Sequence, residues 1–452
     1  MNKHNHDSAR SGVDPAVEIP QIALQSPADL KAHPSNARKH SLTQIRAIAK
    51  SIDAFGFNAP ILVDGEGNVL AGHGRLEAAK LLGLLQVPVI FLHHLSEAKA
   101  KAYMLADNKL TDRSTWDDAT LAVQLKELSE LALSFDIDAT GFEPPEIDFR
   151  IQSLEDLDAI DRGDDFELPT GPSVSALGDI WQLGDHRIAC GNALDQAAVS
   201  NLFVGEKAVA AFTDPPYNVK IDGHVGGKGT VHHRDFPMAT GEMSQSEFTA
   251  FLTSSLSEIC QHTVPGAVIY VCMDWRHISE TLAAGQASGC ELLNLCVWVK
   301  SNGGMGSLYR SRHELVFVFR NGPEQHLNNI QLGKFGRYRT NVWNYAGGNS
   351  FARKGSKRNL ELHPTVKPLL MVSDAIQDST NRGDIVFDPF LGSGTTLLAA
   401  ERVGRRCFGV ELDPLYVDTA VERWQHMTGR KAHSQFGESF DFVKSRRGAA
   451  ND

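Results

Sequence analysis

The chain has 452 residues, of which 42% are hydrophobic and 22% charged. This balance is typical of globular proteins of two to three domains, and it excludes a disordered chain, a coiled coil and a collagen-like fibre. The longest apolar stretch, residues 81–92, is interrupted by polar residues, glycine and proline and is too short to span a membrane. The first six residues contain no apolar core, so no secretory signal is predicted from them. Six scattered cysteines without a C-x-x-C pair predict reduced thiols in a cytoplasmic protein, and no metal site.

The net charge of −11 argues against a nucleic-acid partner when it is taken alone. The charges are distributed unevenly, however. Residues 115–185 contain 18 acidic and three basic residues, whereas residues 325–360 contain seven basic residues and no acidic one. The net charge of the whole chain therefore averages over one acidic and one basic segment.

Residues 1–17 are polar and irregular, and we interpret them as a flexible lead-in. Apolar residues at helical spacing predict a helix over 41–55 with Ser41 as its cap. A hairpin (60–63 and 69–71), a helix (76–82) and a strand (87–91) follow. These elements predict a small α+β domain, which with its trailing helices covers residues 18–134.

The acidic segment 135–177 contains Pro144-Pro145 and Gly163-Asp-Asp165, so we interpret it as a solvated linker with a short helix or two. A strand hairpin is predicted between residues 178 and 187. Beyond it, strands and helices alternate. The predicted strands are 209–213, 267–273, 293–299, 315–319, 385–388 and 407–411. The predicted helices are 245–260, 278–287, 366–378, 395–403 and 415–427. This alternation predicts a doubly wound α/β domain over 178–430, with ligands at the carboxyl ends of its strands and a tail over 431–452.

A strand, a glycine-containing turn and a helix follow one another from Ile385 to Thr396. Glu411 ends the next strand, where a carboxylate can accept two ribose hydroxyls. The lysine of a phosphate-binding P-loop is absent, and so is the third glycine of a dinucleotide loop. A nucleoside without phosphates, such as S-adenosylmethionine, therefore suits the site better, while an ordinary βαβ turn remains the plainer alternative.

The tetrad Asp214-Pro215-Pro216-Tyr217 ends another apolar strand. Asp214 and the rigid carbonyl of Pro215 could accept the two hydrogens of an exocyclic amino group and direct its lone pair at a methyl donor. Tyr217 offers a face on which a flipped base could stack. The alternative is a loop in which the prolines only end a strand.

Residues 178–430 resemble the amino-directed DNA methyltransferases. The resemblance assigns catalysis to the tetrad Asp214 to Tyr217 and cofactor binding to the glycine loop, to Glu411 and to the run His363-Pro-Thr-Val-Lys-Pro368. The cofactor residues that it implies are Asp388, Pro389, Phe390, Gly392, Gly394, Thr395, Glu411, Thr365, Lys367 and Asn192. Asn192 stands where the family often has aspartate.

The tetrad precedes the cofactor loop, which is the permuted order of the β class of this family. The resemblance implies a Rossmann-like fold, S-adenosylmethionine as cofactor, double-stranded DNA as substrate and adenine N6 as target. Cytosine N4 remains an alternative, although cytosine-N4 enzymes more often begin the tetrad with serine. A further alternative is a DNA-binding adaptor whose methyltransferase half is vestigial.

The long segment between the tetrad and the cofactor loop predicts a target-recognition region over about 222–360. Its basic residues alternate with aromatic ones and could neutralise phosphates, although an ordinary solvated surface would show the same composition. The predicted DNA-binding residues are Lys334, Arg337, Arg339, Arg353, Lys354, Lys357 and Arg358.

Residues 18 to about 110 resemble the ParB amino-terminal domain, which shares its fold with sulfiredoxin. Gly56-Phe-Asn-Ala-Pro60 is similar to its first nucleotide-contacting box, and Gly72-His-Gly-Arg75 stands where ParB proteins carry Gly-Glu-Arg-Arg. Gly74 replaces an arginine and His73 occupies the place of the catalytic cysteine of sulfiredoxin. We therefore expect docking to DNA or protein rather than CTP binding or nuclease activity. A homodimer and a partner restriction nuclease are left open.

Overall fold

The computed structural model describes residues 21–111, 113, 115–131, 133–154, 172–218, 241–300, 308–334, 337–345 and 367–448. The chain divides into two units, residues 1–143 and residues 144–452, and each is described by itself. In the described parts of the chain, no helix combines the length and the apolar character that a membrane span requires.

The first unit is a mixed five-stranded sheet with helices. Its elements are β1 (Ile22–Gln25), β2 (Lys31–Ala32), α1 (Leu42–Phe55), β3 (Ile61–Val63), β4 (Asn68–Ala71), α2 (His73–Leu81), β5 (Val87–Phe91), α3 (Glu97–Thr111), α4 (Asp118–Glu130) and a 3₁₀ helix (Ile137–Thr140). The strand order is β1-β5-β3-β4-β2. The predicted α+β character of this unit is thereby confirmed.

Local sequence explains how α1 and α2 begin. The Ser41 side chain accepts a hydrogen bond from the Gln44 amide at 3.1 Å, which confirms the predicted cap. Gly72 opens α2 with φ +98°. A Cβ atom on Gly74 would lie 2.8 Å from Cδ1 of Ile48, so α2 packs closely on α1 at this glycine.

The second unit carries the larger sheet. Its elements are α5 (Pro144–Gln152), β6 (Ile180–Leu183), β7 (His186–Cys190), α6 (Gln196–Phe203), β8 (Ala208–Thr213), α7 (Gln245–His262), β9 (Thr263–Met273), α8 (Ile278–Ala287), β10 (Cys290–Val299), β11 (His313–Asn321), β12 (Val342–Asn344), α9 (Leu369–Ser379), β13 (Ile385–Asp388), α10 (Thr395–Arg402), β14 (Arg406–Glu411), α11 (Pro414–Thr428), β15 (His433–Ser434) and α12 (Phe440–Gly448). All the predicted strands and helices of this unit are present, with ends displaced by a few residues.

The sheet has ten strands in the order β12-β10-β11-β9-β8-β13-β14-β7-β6-β15. The central strands β9, β8, β13, β14 and β7 are parallel to their neighbours in this group. Strand β11 is antiparallel to β9, and its Leu315 is paired with Met273 at the carboxyl end of β9. The residues immediately before β11 therefore lie at the same edge of the sheet as those that follow the parallel strands.

Two apolar cores cover the two faces of this sheet. Val386 faces the core formed with α9, α10 and α11, and its neighbour Phe387 faces the core formed with α6, α7 and α8. Successive side chains of a strand point to opposite faces, so this alternation places a helical layer on each side. The predicted doubly wound α/β fold is confirmed, with additional antiparallel strands at its flanks.

Over helix α5, the acidic segment is packed against other residues and is not the solvated linker that we predicted. The Asp148 side chain is 2% exposed and accepts hydrogen bonds from the guanidinium of Arg405, which is also buried. Arg382 forms a second ion pair with Asp148 at 2.9 Å. Helix α5 is therefore packed against the rest of the second unit, because its Asp148 neutralises two arginines of the β13–β14 region. The predicted short helices of this segment are present.

Candidate active site

The candidate site lies at the carboxyl edge of the parallel strands of the large sheet. Asp214 directly follows β8, Asp388 ends β13 and Glu411 ends β14. Because these three strands are adjacent and parallel, their carboxyl ends meet at one edge. The tetrad and the glycine loop, which are 174 residues apart in sequence from Asp214 to Asp388, are thus brought together as predicted.

Both oxygens of the Asp214 carboxylate have partners. The Tyr217 hydroxyl donates to Oδ1 at 2.6 Å, and the Lys367 ammonium donates to Oδ2 at 2.6 Å. Lys367 also contacts the Tyr217 hydroxyl at 3.1 Å. We predicted Lys367 as a cofactor ligand; in the structure its ammonium contacts Asp214 and Tyr217 of the tetrad.

A second carboxylate completes this cluster. Glu314 is 8% exposed, and its Oε2 lies 3.2 Å from the Lys367 Nζ and 3.4 Å from the Tyr217 hydroxyl. Its Oε1 accepts a short hydrogen bond from the Lys300 ammonium, at the end of β10. Glu314 and Lys300 were not predicted from the sequence, since neither belongs to a recognisable motif.

The two carboxylates have opposite pKa shifts. Burial raises the pKa of Asp214, and the Lys367 ammonium acts against that rise. Burial also acts to raise the pKa of Glu314, but the ammonium groups of Lys367 and Lys300 outweigh it, so this pKa lies below its ordinary value. Burial and the neighbouring carboxylates raise the pKa of Tyr217 well above its usual range, so its hydroxyl remains a hydrogen-bond donor. The cluster therefore brings two carboxyl groups, Asp214 and Glu314, together with the two amino groups of Lys367 and Lys300.

Asn218, directly after the tetrad, is a further residue that the motif did not indicate. Its backbone has φ +51°, a left-handed conformation that asparagine tolerates better than most residues. Its Oδ1 accepts from the amides of Gly241 and Met243, and its Nδ2 donates to the Met243 carbonyl at 2.8 Å. Asn218 thereby fixes the backbone around the start of α7 to the end of the tetrad.

The glycine loop between β13 and α10 is organised by two carboxylates. Asp388 accepts from the Thr396 hydroxyl at 2.6 Å and from the Phe390 amide at 3.1 Å. Glu411 accepts from the Gly392 amide and from the Asp413 amide, both at 2.8 Å. Burial raises the pKa of each carboxylate to about 7. Asp388 thus holds the loop closed onto its helix, and Glu411 holds the loop to β14.

The two glycines of the loop have different roles. A Cβ atom on Gly392 would meet no atom within 4 Å, so this glycine presents its backbone to open space. A Cβ atom on Gly394 would lie 2.8 Å from that of Ala420 on α11, so this glycine is required for helix packing. Only Gly392 therefore matches the expectation that glycine lets a ligand approach the backbone.

The remaining predicted cofactor residues are placed around this loop. Pro389 and Phe390 form its first turn, Phe390 packs against the core on the α7 side, and Thr395 begins α10. Asn192 is exposed after β7, where the Gly191 amide donates to the Glu411 carbonyl at 2.8 Å. Thr365 lies outside the described residues.

S-adenosylmethionine fits this set of residues. Glu411 offers a carboxylate at a strand end, the open face of Gly392 leaves space beside it, and Asn192 stands at the end of the neighbouring strand. No lysine or arginine of the described loop is placed to bind a pyrophosphate. The part of the chain that the structure describes also contains no cluster of three or more potential metal ligands.

Two predicted DNA contacts are corrected by the structure. Arg337 is 7% exposed and pairs with Asp378 at 2.7 Å. Arg339 pairs with the other oxygen of Asp378 at 2.9 Å. Since both guanidinium groups neutralise acidic residues of α9, they are committed to the interior and are not free to bind phosphate. Lys334 is exposed, whereas Arg353, Lys354, Lys357 and Arg358 lie outside the described residues.

Three family models match the chain. A DNA methylase model of the N6/N4 type matches residues 209–422, a ParB N-terminal domain model matches 16–109, and a ParB-methyltransferase HTH domain model matches 119–177. The last match includes the segment that we interpreted as a linker and contains α5.

Individual proteins are similar to about half of the chain. The type II methyltransferase M.HpaI of Haemophilus parainfluenzae is 28% identical over 251 residues, which are 53% of this chain and 74% of that protein. The type II methyltransferase M2.DpnII of Streptococcus pneumoniae is 28% identical over 223 residues, which are 47% of this chain and 80% of that protein. The crystal structure of an M1.HpyAVI–SAM complex aligns with 52% of this chain and 97% of its own, at 22% identity and a TM-score of 0.38.

The order of tetrad and glycine loop, their meeting at one sheet edge and the family matches agree with one another. Residues 209–422 are therefore identified as a DNA methylase domain of the N6/N4 type, and residues 16–109 ahead of it as a ParB N-terminal domain.

Proposed function

We propose that this methyltransferase modifies the exocyclic N6 of adenine in double-stranded DNA, with the target base rotated out of the duplex. The observation that carries the proposal is the Asp214 carboxylate at the carboxyl end of β8. This strand is the direct neighbour of β13, from which the cofactor loop extends. A base must leave the stack to bring its amino group to such a recessed edge.

Asp214 and the Pro215 carbonyl accept the two amino hydrogens of the target base. Two fixed acceptors orient the nitrogen lone pair and favour tetrahedral geometry, which is the change that methylation of an aromatic amine requires. Pro216 keeps this turn rigid because its φ is fixed by its ring. Tyr217 supplies an aromatic face and, through its hydroxyl, holds Oδ1 of Asp214.

S-adenosylmethionine supplies the electrophilic methyl group. Glu411 accepts the hydroxyls of its ribose, and the open backbone at Gly392 accommodates the ligand beside the tetrad. Asp388 acts indirectly, since its carboxylate is occupied by the loop that it holds. Asn192, Thr365 and Thr395 are proposed to line the same ligand.

The DNA contacts are proposed for the basic residues of segment 325–360 other than Arg337 and Arg339. Lys334, Arg353, Lys354, Lys357 and Arg358 lie in the segment without acidic residues. Cations there would bind phosphates and release counterions. We further propose that the ParB-like domain docks on DNA or protein, because Gly74 stands where the ParB motif carries the first of its two arginines.

Cytosine N4 is the second candidate target, because the same pair of acceptors would bind its amino group. The direct test is nucleoside analysis by mass spectrometry after incubation with unmethylated DNA and S-adenosylmethionine. N6-methyldeoxyadenosine supports the proposal, and N4-methyldeoxycytidine alone contradicts it. Long-read sequencing of the same DNA would identify the recognition site.

The vestigial alternative needs a matched control. Asp214→Asn keeps the size of the side chain but loses the charge that balances Lys367 and one acceptor oxygen. We expect the methylation rate to fall at least about 100-fold, as for other misoriented reacting groups. Equal incorporation of methyl groups by both proteins would show that the tetrad does not catalyse the reaction.

A further inference from the structure

The proposed reaction needs Asp214 as a hydrogen-bond acceptor, and both oxygens of this carboxylate already accept a hydrogen bond in the structure. Oδ1 of Asp214 holds the Tyr217 hydroxyl and Oδ2 holds the Lys367 ammonium, each at 2.6 Å. The ammonium occupies the position of a hydrogen-bond donor on Oδ2, which is the role that the target amino group must take. An oxygen that already accepts from a cation is a weaker acceptor for a neutral donor, so departure of Lys367 would strengthen the hold of Asp214 on the target amino group.

A receiving group for this ammonium is already in contact with it. Glu314 is the second residue of the antiparallel strand β11, and its Oε2 lies 3.2 Å from the Lys367 Nζ. Glu314 is itself held in place, because Lys300 pairs with its other oxygen. The path of the ammonium from one carboxylate to the other is thus shorter than the length of a side chain.

We propose that Lys367 moves from Asp214 to Glu314 when the target amino group binds, so that Glu314 is a positioning residue that clears the catalytic carboxylate. This inference rests on the proposed function and extends it to a residue outside the recognised motifs. Glu314 acts through Lys367 and does not itself contact the base.

The exchange keeps the Lys367 ammonium paired, at the cost of the ion pair between Lys367 and Asp214. A buried ion that loses its partner is strongly destabilised, whereas an ion that changes partners remains paired. The target amino group is neutral, so its arrival leaves two carboxylates and two ammonium groups in the cluster. The ammonium remains paired throughout, and Asp214 exchanges an ionic partner for the neutral donor that the reaction requires.

The other titratable groups around Asp214 do not offer a second acceptor for the ammonium. Cys272 of β9 is buried, and burial raises the pKa of its thiol well above the usual range, so it stays neutral. Tyr217 also stays protonated. Asp388 of β13 is engaged with Thr396 and the Phe390 amide. Among the described residues, Glu314 is the carboxylate within reach of Lys367 besides Asp214.

The test compares single-turnover methylation rates of the full chain on unmethylated DNA at pH 8.5. Glu314→Gln leaves Asp214 as the stronger partner of Lys367, so we expect the rate to fall at least tenfold. Glu314→Asp retains the charge and should recover at least part of this loss. Glu291→Gln, on the exposed start of β10, is the matched control and should react at the wild-type rate.

The decisive variant combines Glu314→Gln with Lys367→Met, which removes the ammonium that would block Asp214. We expect the double variant to methylate at least tenfold faster than Glu314→Gln alone, although each substitution removes a buried charge. Melting temperature and the dissociation constant for S-adenosylmethionine verify that each variant is folded and binds cofactor.

The outcomes separate the two proposals. A folded wild-type protein that transfers no methyl group contradicts the proposed function. An active wild type with an equally active Glu314→Gln variant overturns the inference about Glu314. A double variant no faster than Glu314→Gln, with cofactor binding retained, also overturns it, because Lys367 is then not the obstacle. Lys367→Met alone should shift the acidic limb of the pH–rate profile upward, since Asp214 loses its compensating charge.

Discussion

Glu411→Gln is expected to stabilise the ligand-free protein at pH 8 while it weakens cofactor binding. Burial raises the pKa of Glu411 from 4.5 to about 7. A raised pKa means that folding favours the protonated form. The associated stability is fully present below the unfolded pKa and is lost as the pH rises through about 7. Glutamine is close in shape to the protonated acid, so the variant does not lose this stability as the pH rises.

The magnitude follows from the shift. A shift of one pKa unit corresponds to about 1.4 kcal/mol, so the raised pKa gives an upper bound of about 3.4 kcal/mol. Glu411 is only partly buried, and solvent screening reduces this bound to about 2 kcal/mol. With a conversion of about 2–4 °C per kcal/mol, the melting temperature of the variant should exceed that of the wild type by roughly 4–8 °C at pH 8. At pH 5 the two proteins should melt within about 2 °C of each other.

The assay is thermal unfolding of ligand-free wild type and variant between pH 5 and pH 8.5, with calorimetric titration of S-adenosylmethionine in parallel. Asp388 titrates in both proteins, so its contribution largely cancels in the difference. A variant that is less stable than the wild type at every pH would refute the reasoning, because the amide hydrogen bonds to Glu411 would then outweigh its desolvation. Unchanged cofactor affinity would contradict the proposed role of the carboxylate.

Three further substitutions test the packing around the site. Gly394→Ala brings a Cβ atom to 2.8 Å from Ala420 at φ +89°, so thermal unfolding should show a loss of about 2–4 kcal/mol. Arg337→Met leaves Asp378 with its ion pair to Arg339, and should lower stability by about 3 kcal/mol without changing the salt dependence of DNA binding. Asp148→Ala should destabilise the second unit by about 3–5 kcal/mol, since Arg405 loses a buried partner; an unchanged melting temperature would mean that α5 is not docked.

The sequence predicted the parts of the site that stand at strand ends. Asp214, Asp388 and Glu411 each follow or end an apolar run, and parallel neighbouring strands bring such residues to one edge. Glu314 could not be found in this way. It lies on β11, and only the antiparallel pairing of this strand with β9 brings its first residues to the same edge. Strand direction is a property of the whole sheet and leaves no local signal.

The distinction between a surface cation and an interior one was equally beyond the sequence. Arg337 lies in a basic segment, but its partner Asp378 is 41 residues away in α9. The acidic α5 shows the converse, because Asp148 is neutralised by Arg405, 257 residues away. The composition of a short segment predicts which of its charged side chains are solvated only when their opposite charges lie in the same segment.

The charge of the DNA-binding segment changes accordingly. Of its seven basic residues, two neutralise Asp374 and Asp378, so at most five remain to bind phosphate. Each neutralised phosphate contributes about −0.9 to the slope of log affinity against log salt concentration, so this segment can contribute no more than about −4.5. A change in the slope on Arg337→Met would require this residue to leave Asp378 and would reverse the assignment. The net charge of −11 determines neither the number of phosphates bound nor the salt slope, because partner binding depends on which charges lack an internal counterion.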